Sequence, residues 1–322
     1  MTGGDALEIE LTNVAVAFDR LLETFVDPAT TPSFVRRLTS LLGEAQRRES
    51  RLGWAGIVRA LETHEVGRIL RTAPMVRRCQ WRASGAEPYD IVEAFAHGWD
   101  DALDVLVEAE EPGHLLNNAI LDTGIGAALR ERRSTVQSLV VRRAKADRNA
   151  RVLALGAGRA PEIIDLMRLD LLPVENWLLV DRGARLPTNR RLGGISRLER
   201  INACPESWLE TQSAAASFDL IYAIDLFDSV DANAFDACLK QALAMLRPGG
   251  DLILSAFASD TPELGLMDGV LNWKPATWDV AELKRHLASA VDLLPYRVDV
   301  AAWTGSGGRV VFGSLTRSSW TG

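Results

Sequence analysis

Cysteine is scarce in these 322 residues: Cys79, Cys204 and Cys238 are widely spaced and odd in number. Such a set excludes a disulfide framework and has no metal-ligand spacing. It reads as three small core residues in a reducing cytoplasm, with no metal site expected. Positive charge is outnumbered too, with 36 Lys+Arg against 43 Asp+Glu. That balance argues against a bulk electrostatic grip on nucleic acid, so no nucleic-acid partner is expected. No apolar run approaches the roughly 18 residues that would span a bilayer. The opening MTGGDALEIELTN is acidic and lacks a secretory pattern, so the expected setting is cytoplasmic. Internal repeats and low-complexity linkers are also missing. What is there is 47% hydrophobic residues, enough for one large domain or two smaller ones.

Two rhythms divide the chain. From residue 5 to about 148, stretches such as DALEIELTNVAVAFDRLLETFVD, TPSFVRRLTSLLGEAQRRES and DIVEAFAHGWDDALDVLVEAEE repeat apolar residues at helical spacing. The last helix of this half carries Arg130, Arg132, Arg133, Arg142, Arg143, Lys145 and Arg148. Such a run reads first as a solvated face, and second as an anion-facing surface over a ligand. After Arg148, short apolar runs (RVLAL, NWLLVD, SFDLIYAI, DLILSAFA) alternate with helical segments. That alternation predicts an α/β fold with a parallel sheet covered on both sides. The turn RPGG precedes the last of these runs. The end differs: VDLLPYRVDVAAW, TGSGG and RVVFGSLTR read as an antiparallel hairpin. The expected division is therefore a helical region over 1–148 and an α/β domain over 149–322.

The stretch LALGAGRAPE joins the first strand to a helix. Gly156 and Gly158 present no Cβ, so the backbone there can approach a ligand closely, and the next helix turns its free N–H groups toward it. A dinucleotide fingerprint would place a third glycine where Pro161 stands. Proline suits a helix start, so the loop is sound while the pyrophosphate signature is incomplete. Asp181 closes the next strand, NWLLVD, where a carboxylate can accept hydrogen bonds from both ribose hydroxyls of an adenosine.

Taken in order, VLALGAGRAPEIIDL, LLVD, FDLIYAIDLFDSV and LRPGGDLILSAFA resemble class I S-adenosylmethionine-dependent methyltransferases over about residues 150–316. The resemblance implies a Rossmann-like sheet of seven strands with the last antiparallel, and S-adenosyl-L-methionine as cofactor. More narrowly, GRAPE resembles a GPARE loop, IYAIDLFDSV resembles IYSAGLFDYL, and THEVGRILRTAPMVRRCQW and GLMDGVLNW have counterparts in one bacterial group. That group includes the methyltransferases of 3-hydroxy fatty acid methyl ester signals, in which a helical N-terminal region precedes the catalytic domain and covers the acceptor site. The chain departs from it at WRASGAEPYD, where the group carries a motif like KPRGYAGDA.

Carried over position by position, the resemblance implies that Gly156, Ala157 and Gly158 line the methionine and ribose side. Asp181 binds the ribose, Arg182 lies beside the adenine, and Asn202 and Ala203 meet the adenine edge. Ala223 and Ile224 border the sulfonium. Asp225 and Asp228, after the fourth strand, are candidate catalytic groups, as is His64, which matches a histidine of the narrower group. Tyr222, Arg82, Trp273 and His114 are candidate substrate contacts. Most other tryptophans, such as Trp54 and Trp99, read as packing residues. The leading expectation is O-methylation of a carboxylate or hydroxyl on a small-molecule acceptor. N- or C-methylation in specialised metabolism, and a catalytically silent cofactor- or partner-binding protein, stay open. A homodimer stays open as well. A nicotinamide-dependent oxidoreductase stands well behind, since it would not need the terminal hairpin.

Overall fold

The computed structural model describes residues 3–25, 28–80, 95, 110–156, 158, 160–168, 176–182, 197–212, 216–230, 232–292 and 294–319. It divides into two compact units, Met1–Ala127 with Pro262–Lys274, and Ala128–Thr261 with Pro275–Gly322.

The first unit is helical. Its described helices include Gly3–Leu22, Thr31–Arg48, Arg51–Thr63, Glu65–Leu70, Pro74–Gln80, Glu111–Leu121 and Leu264–Gly269. Thr31–Arg48 starts on Thr31-Pro32 and buries Phe34, Val35, Leu38 and Leu42 on one face. Each such side chain contributes about 1.5–3 kcal/mol by leaving water. The next helix is capped by Ser50, whose hydroxyl accepts from the Gly53 N–H at 3.2 Å. The segment 262–274 lies against these helices: a Cβ on Gly265 would stand 2.3 Å from the Leu42 carbonyl oxygen. Asp268 accepts from the Trp54 indole N–H at 2.9 Å and from Gln46 at 3.3 Å. Sequence rhythm assigns this segment to the sheet half. Its packing and polar pairing place it with the helices instead.

The second unit is built on one sheet. Its strands are β1 (Arg151–Leu155), β2 (Asn176–Asp181), β3 (Arg197–Asn202), β4 (Phe218–Ala223), β5 (Leu246–Ala258), β6 (Thr277–Trp278), β7 (Val298–Thr304) and β8 (Val310–Arg317). They run in the order β3-β2-β1-β4-β5-β8-β7, with β6 paired to β5 off that path. The pairs from β3 to β5 are parallel, and β8 runs antiparallel to both β5 and β7. This is the expected Rossmann-like sheet with its last strand reversed. Two details differ. The two-residue β6 makes the described strands eight, and RPGG belongs to β5, where the register against β4 shifts.

Leu153, Ile221, Leu239, Leu243, Leu254, Leu283 and Leu287 are fully or almost fully buried in the core of this unit. Helix Gly124–Ala146 explains why the units part at Ala127/Ala128 and not at residue 148. Its Arg132, Arg133 and Arg143 pair with Asp228, Asp165 and Asp251 at 2.6, 3.3 and 2.5 Å. Three of the seven basic residues are therefore staples onto the sheet unit, while Arg130, Arg142, Lys145 and Arg148 are exposed.

Candidate functional site

The carboxyl ends of β1, β2, β3 and β4 converge within the second unit, where open α/β sheets bind ligands. After β1 the backbone turns through Gly156 (φ 70°) and Gly158 (φ 50°). Both lie in the left-handed region that glycine enters without a steric penalty. A Cβ on Gly156 would stand 3.3 Å from Leu226 Cβ, so the loop after β1 lies against the loop after β4. Ala160 also has a positive φ, 52°, and is fully buried. It leads into helix Pro161–Arg168.

At the end of β2, Asp181 is 2% exposed and its carboxylate accepts from the Gly158 N–H at 2.8 Å. Asp181 stands in register with Asn202 at the end of β3, and its carbonyl accepts from the Ala203 N–H at 3.0 Å. Arg182, at the surface, donates to Cys204 Sγ at 2.8 Å, and that thiol donates to Glu206. Buried carboxylate, exposed carboxamide and guanidinium thus follow one another along two adjacent strand ends.

The β4 end holds a denser polar cluster. Arg132 is wholly buried. Its Nη1 donates to Asp228 at 2.6 Å, to the Ile224 carbonyl at 3.0 Å and to Asp225 at 3.2 Å. Its Nη2 reaches Asp228 at 3.1 Å. The guanidinium also lies 4.2 Å from the Phe257 ring centre. Burial alone would lower the Arg132 pKa, but the Asp228 and Asp225 carboxylates together outweigh it and keep the cation charged. Burial raises the Asp228 pKa to about 6, against the pull of Arg132. Asp225 is raised by the same cause, but its side chain stays a quarter exposed, against 5% for Asp228.

Behind the glycine loop a second buried acid appears. Glu162, 2% exposed, accepts from the Tyr222 hydroxyl. Burial pushes its pKa up to about 7, and the charge of Asp225 adds to the rise. The Tyr222 hydroxyl is driven well above its usual value by burial and by Glu162.

The structure thus gathers Gly156, Gly158, Asp181, Arg182, Asn202, Ala203, Ala223, Ile224, Asp225 and Asp228 at neighbouring strand ends. Tyr222, expected on the substrate side, is instead a core residue at 1% exposure, its hydroxyl committed to Glu162. His64 belongs to the helical unit. Its Nδ1 accepts from the Val66 N–H at 3.2 Å, its Nε2 lies 3.2 Å from Asp19, and its ring packs on Phe18. Trp273 is 6% exposed and bonds Met267 through its backbone, in that same unit. His114 is half-buried in helix Glu111–Leu121. Ala157, Arg82 and the stretch WRASGAEPYD lie outside the described residues. Arg132 and Glu162 are the members that sequence reasoning missed. One was read within a charge run, the other as an ordinary helix start. Among the described residues no His/Cys/Asp/Glu group is placed to hold a metal, and no helix is long and apolar enough to cross a membrane.

Comparison with known proteins adds a family. Residues 128–297 match the profile described as a methyltransferase domain. Curated protein sequences contain no match. Among solved structures, a possible exported protein from Bordetella parapertussis is similar over 99% of both chains, at 14% identity and a TM-score of 0.52, a likeness of fold. The 1,6-didemethyltoxoflavin-N1-methyltransferase of Burkholderia thailandensis aligns with 72% of this chain and 91% of its own, at 16% identity and a TM-score of 0.43. Magnesium protoporphyrin IX methyltransferase from Synechocystis PCC 6803 aligns with 72% and 100%, at 13% identity and 0.45.

Proposed function

The chain belongs to the methyltransferase family matched over residues 128–297, and from that premise we propose that it moves a methyl group from S-adenosyl-L-methionine to a small-molecule acceptor. The leading acceptor atom is the oxygen of a carboxylate or hydroxyl. The observation that carries this reading is the buried Asp181 carboxylate at the end of β2, bonded to the Gly158 N–H of the glycine loop. A carboxylate only accepts hydrogen bonds, and a ribose diol offers two donors. The loop keeps Gly156 and Gly158 at positive φ, so backbone, not side chain, faces the bound nucleoside. The residues present fit the cofactor on both counts.

When bound, the cofactor supplies a methyl group already activated on a positive sulfur. The protein's own residues then bind and align. Asp181 holds the ribose, Asn202 accepts from the adenine amine through its amide oxygen, and Arg182 lies beside the ring. Ala223 and Ile224 wall the methyl side with apolar surface and exclude water there. A carboxylate acceptor needs no base, whereas a hydroxyl must lose a proton. Asp225 is assigned that proton, because Asp228 is locked by Arg132 and both His64 nitrogens are already engaged.

Titration calorimetry of the full chain with S-adenosylhomocysteine tests the reading. Binding is expected, and Asp181→Ala should weaken it by about tenfold or more, since two donors lose their acceptor. Unchanged affinity in that variant would sink the ribose assignment. Release of S-adenosylhomocysteine from S-adenosylmethionine in the presence of candidate acceptors then separates an enzyme from a silent binder.

A further inference from the structure

Arg132 is the largest fully buried charged side chain described in this protein, and the methyl-transfer reading gives it no contact with cofactor or acceptor. Its hydrogen bonds converge on one short segment, 224–228, while its guanidinium lies over the Phe257 ring. It holds Asp228 through both Nη atoms, takes the Ile224 carbonyl and touches Asp225. The same segment is pinned from other sides. Ser255 Oγ donates to the Ile224 carbonyl at 2.7 Å, the Ala276 N–H donates to the Asp228 carbonyl at 2.8 Å, and Leu226 fills the space beside Gly156. Of the three charged groups, Arg132 and Asp228 are closed off and Asp225 alone is open. Asp225 is thus the carboxylate of the cluster that solvent and a ligand can reach, with Arg132 in direct contact and the charge of Arg133 acting on it as well.

Stability does not account for the arrangement. A buried ion pair seldom outperforms apolar residues of the same volume, because both charges lose their water. Arg132 Nε is buried with no hydrogen-bond partner among the described residues, a further cost an aliphatic side chain would avoid. What the fork supplies is geometry. A bidentate pair on Asp228 fixes both distance and angle, and the remaining contacts set the backbone from Ile224 to Asp228 against the glycine loop.

We propose that Arg132 is a positioning residue of the cofactor site: it holds residues 224–228 against Gly156 and keeps the Asp225 carboxylate aimed at the positive charge of bound S-adenosylmethionine. The proposal rests on the methyl-transfer reading given above. It predicts a preference for the cationic cofactor over neutral S-adenosylhomocysteine that depends on a residue touching neither.

Calorimetry with both ligands and a thermal melt test it on the full chain. Arg132→Lys keeps the charge and loses the fork. Its affinity for S-adenosylmethionine should fall about tenfold, that for S-adenosylhomocysteine should fall less, and the melting temperature should stay close to wild type. Arg132→Met with Asp228→Leu removes the pair as a unit, so it should fold and show the same loss of preference. Variants that keep the wild-type ratio of the two affinities overturn the proposal, whether both affinities are unchanged or both fall together with the melting temperature. A wild-type chain that binds neither ligand would instead overturn the methyl-transfer reading, and the role of Arg132 with it.

Discussion

Replacing Glu162 by Gln should change how stability depends on pH more than it changes stability itself. Glu162 is buried beside Tyr222, and burial raises its pKa from 4.5 to about 7. In the unfolded chain the same carboxyl ionises near its ordinary value. Between those two pKa values the folded protein holds a proton that the unfolded chain has released. Stability from this group is complete below about pH 4.5 and is lost as pH rises through about 7. A rise of that size corresponds to about 3 kcal/mol, of which about 2–3 kcal/mol falls between about pH 5 and about pH 8. Glutamine is a neutral isostere that still accepts from the Tyr222 hydroxyl, so it mimics the protonated acid at every pH.

Urea unfolding at those two pH values, followed by tryptophan fluorescence, measures the effect. Asp228, raised to about 6, titrates in the same direction and in an overlapping window. The quantity to read is therefore the difference between variant and wild type at each pH, in which Asp228 cancels. That difference should grow in favour of Gln by about 2–3 kcal/mol from the lower to the higher pH. A difference that stays constant would refute the placement of an uncharged carboxyl behind the glycine loop.

Two other substitutions separate the units. Gly156→Ala puts a Cβ 3.3 Å from Leu226 Cβ at a φ of 70°, so it should cost about 1–2 kcal/mol of stability and weaken S-adenosylhomocysteine binding; calorimetry with wild-type affinity would contradict the close approach of the two loops. His64→Ala removes the side chain that caps Val66 and packs on Phe18. It should cost about 1 kcal/mol in urea unfolding while cofactor affinity stays unchanged, and an unchanged midpoint would dismiss the cap.

Legibility followed the range of the interactions. Strand-helix alternation and the Gly/Ser hairpin are local signals, and the observed sheet follows them down to the reversed β8. Gly156 and Gly158 could be picked out because they form the turn directly after a strand, and Asp181 because it closes the next one. The partners of Arg132 lie more than 90 residues away in the chain, and a run of arginines on one helix does not reveal which of them faces inward. Glu162 is hidden for the opposite reason. An acid in the first turn of a helix is the ordinary choice there, so nothing marked it as buried. The 262–274 segment was misassigned because its partners, Leu42, Gln46 and Trp54, come from the other half of the chain.

The buried charges described in the sheet unit are not scattered. Most of its core is Leu, Ile, Val, Phe and Ala, with no charge to satisfy. Arg132 with two carboxylates, Glu162 with a raised pKa and Ala160 at φ 52° all fall at the ends of β1 and β4. A left-handed alanine alone costs about 1–2 kcal/mol, and the buried acid costs more. Packing does not call for any of them, since aliphatic residues serve equally well along the rest of the same strands. Strain and buried charge persist where the surrounding structure holds them for a task. Their concentration beside Asp181 and the glycine loop marks this end of the sheet as the part shaped by chemistry, while the remainder is shaped by folding.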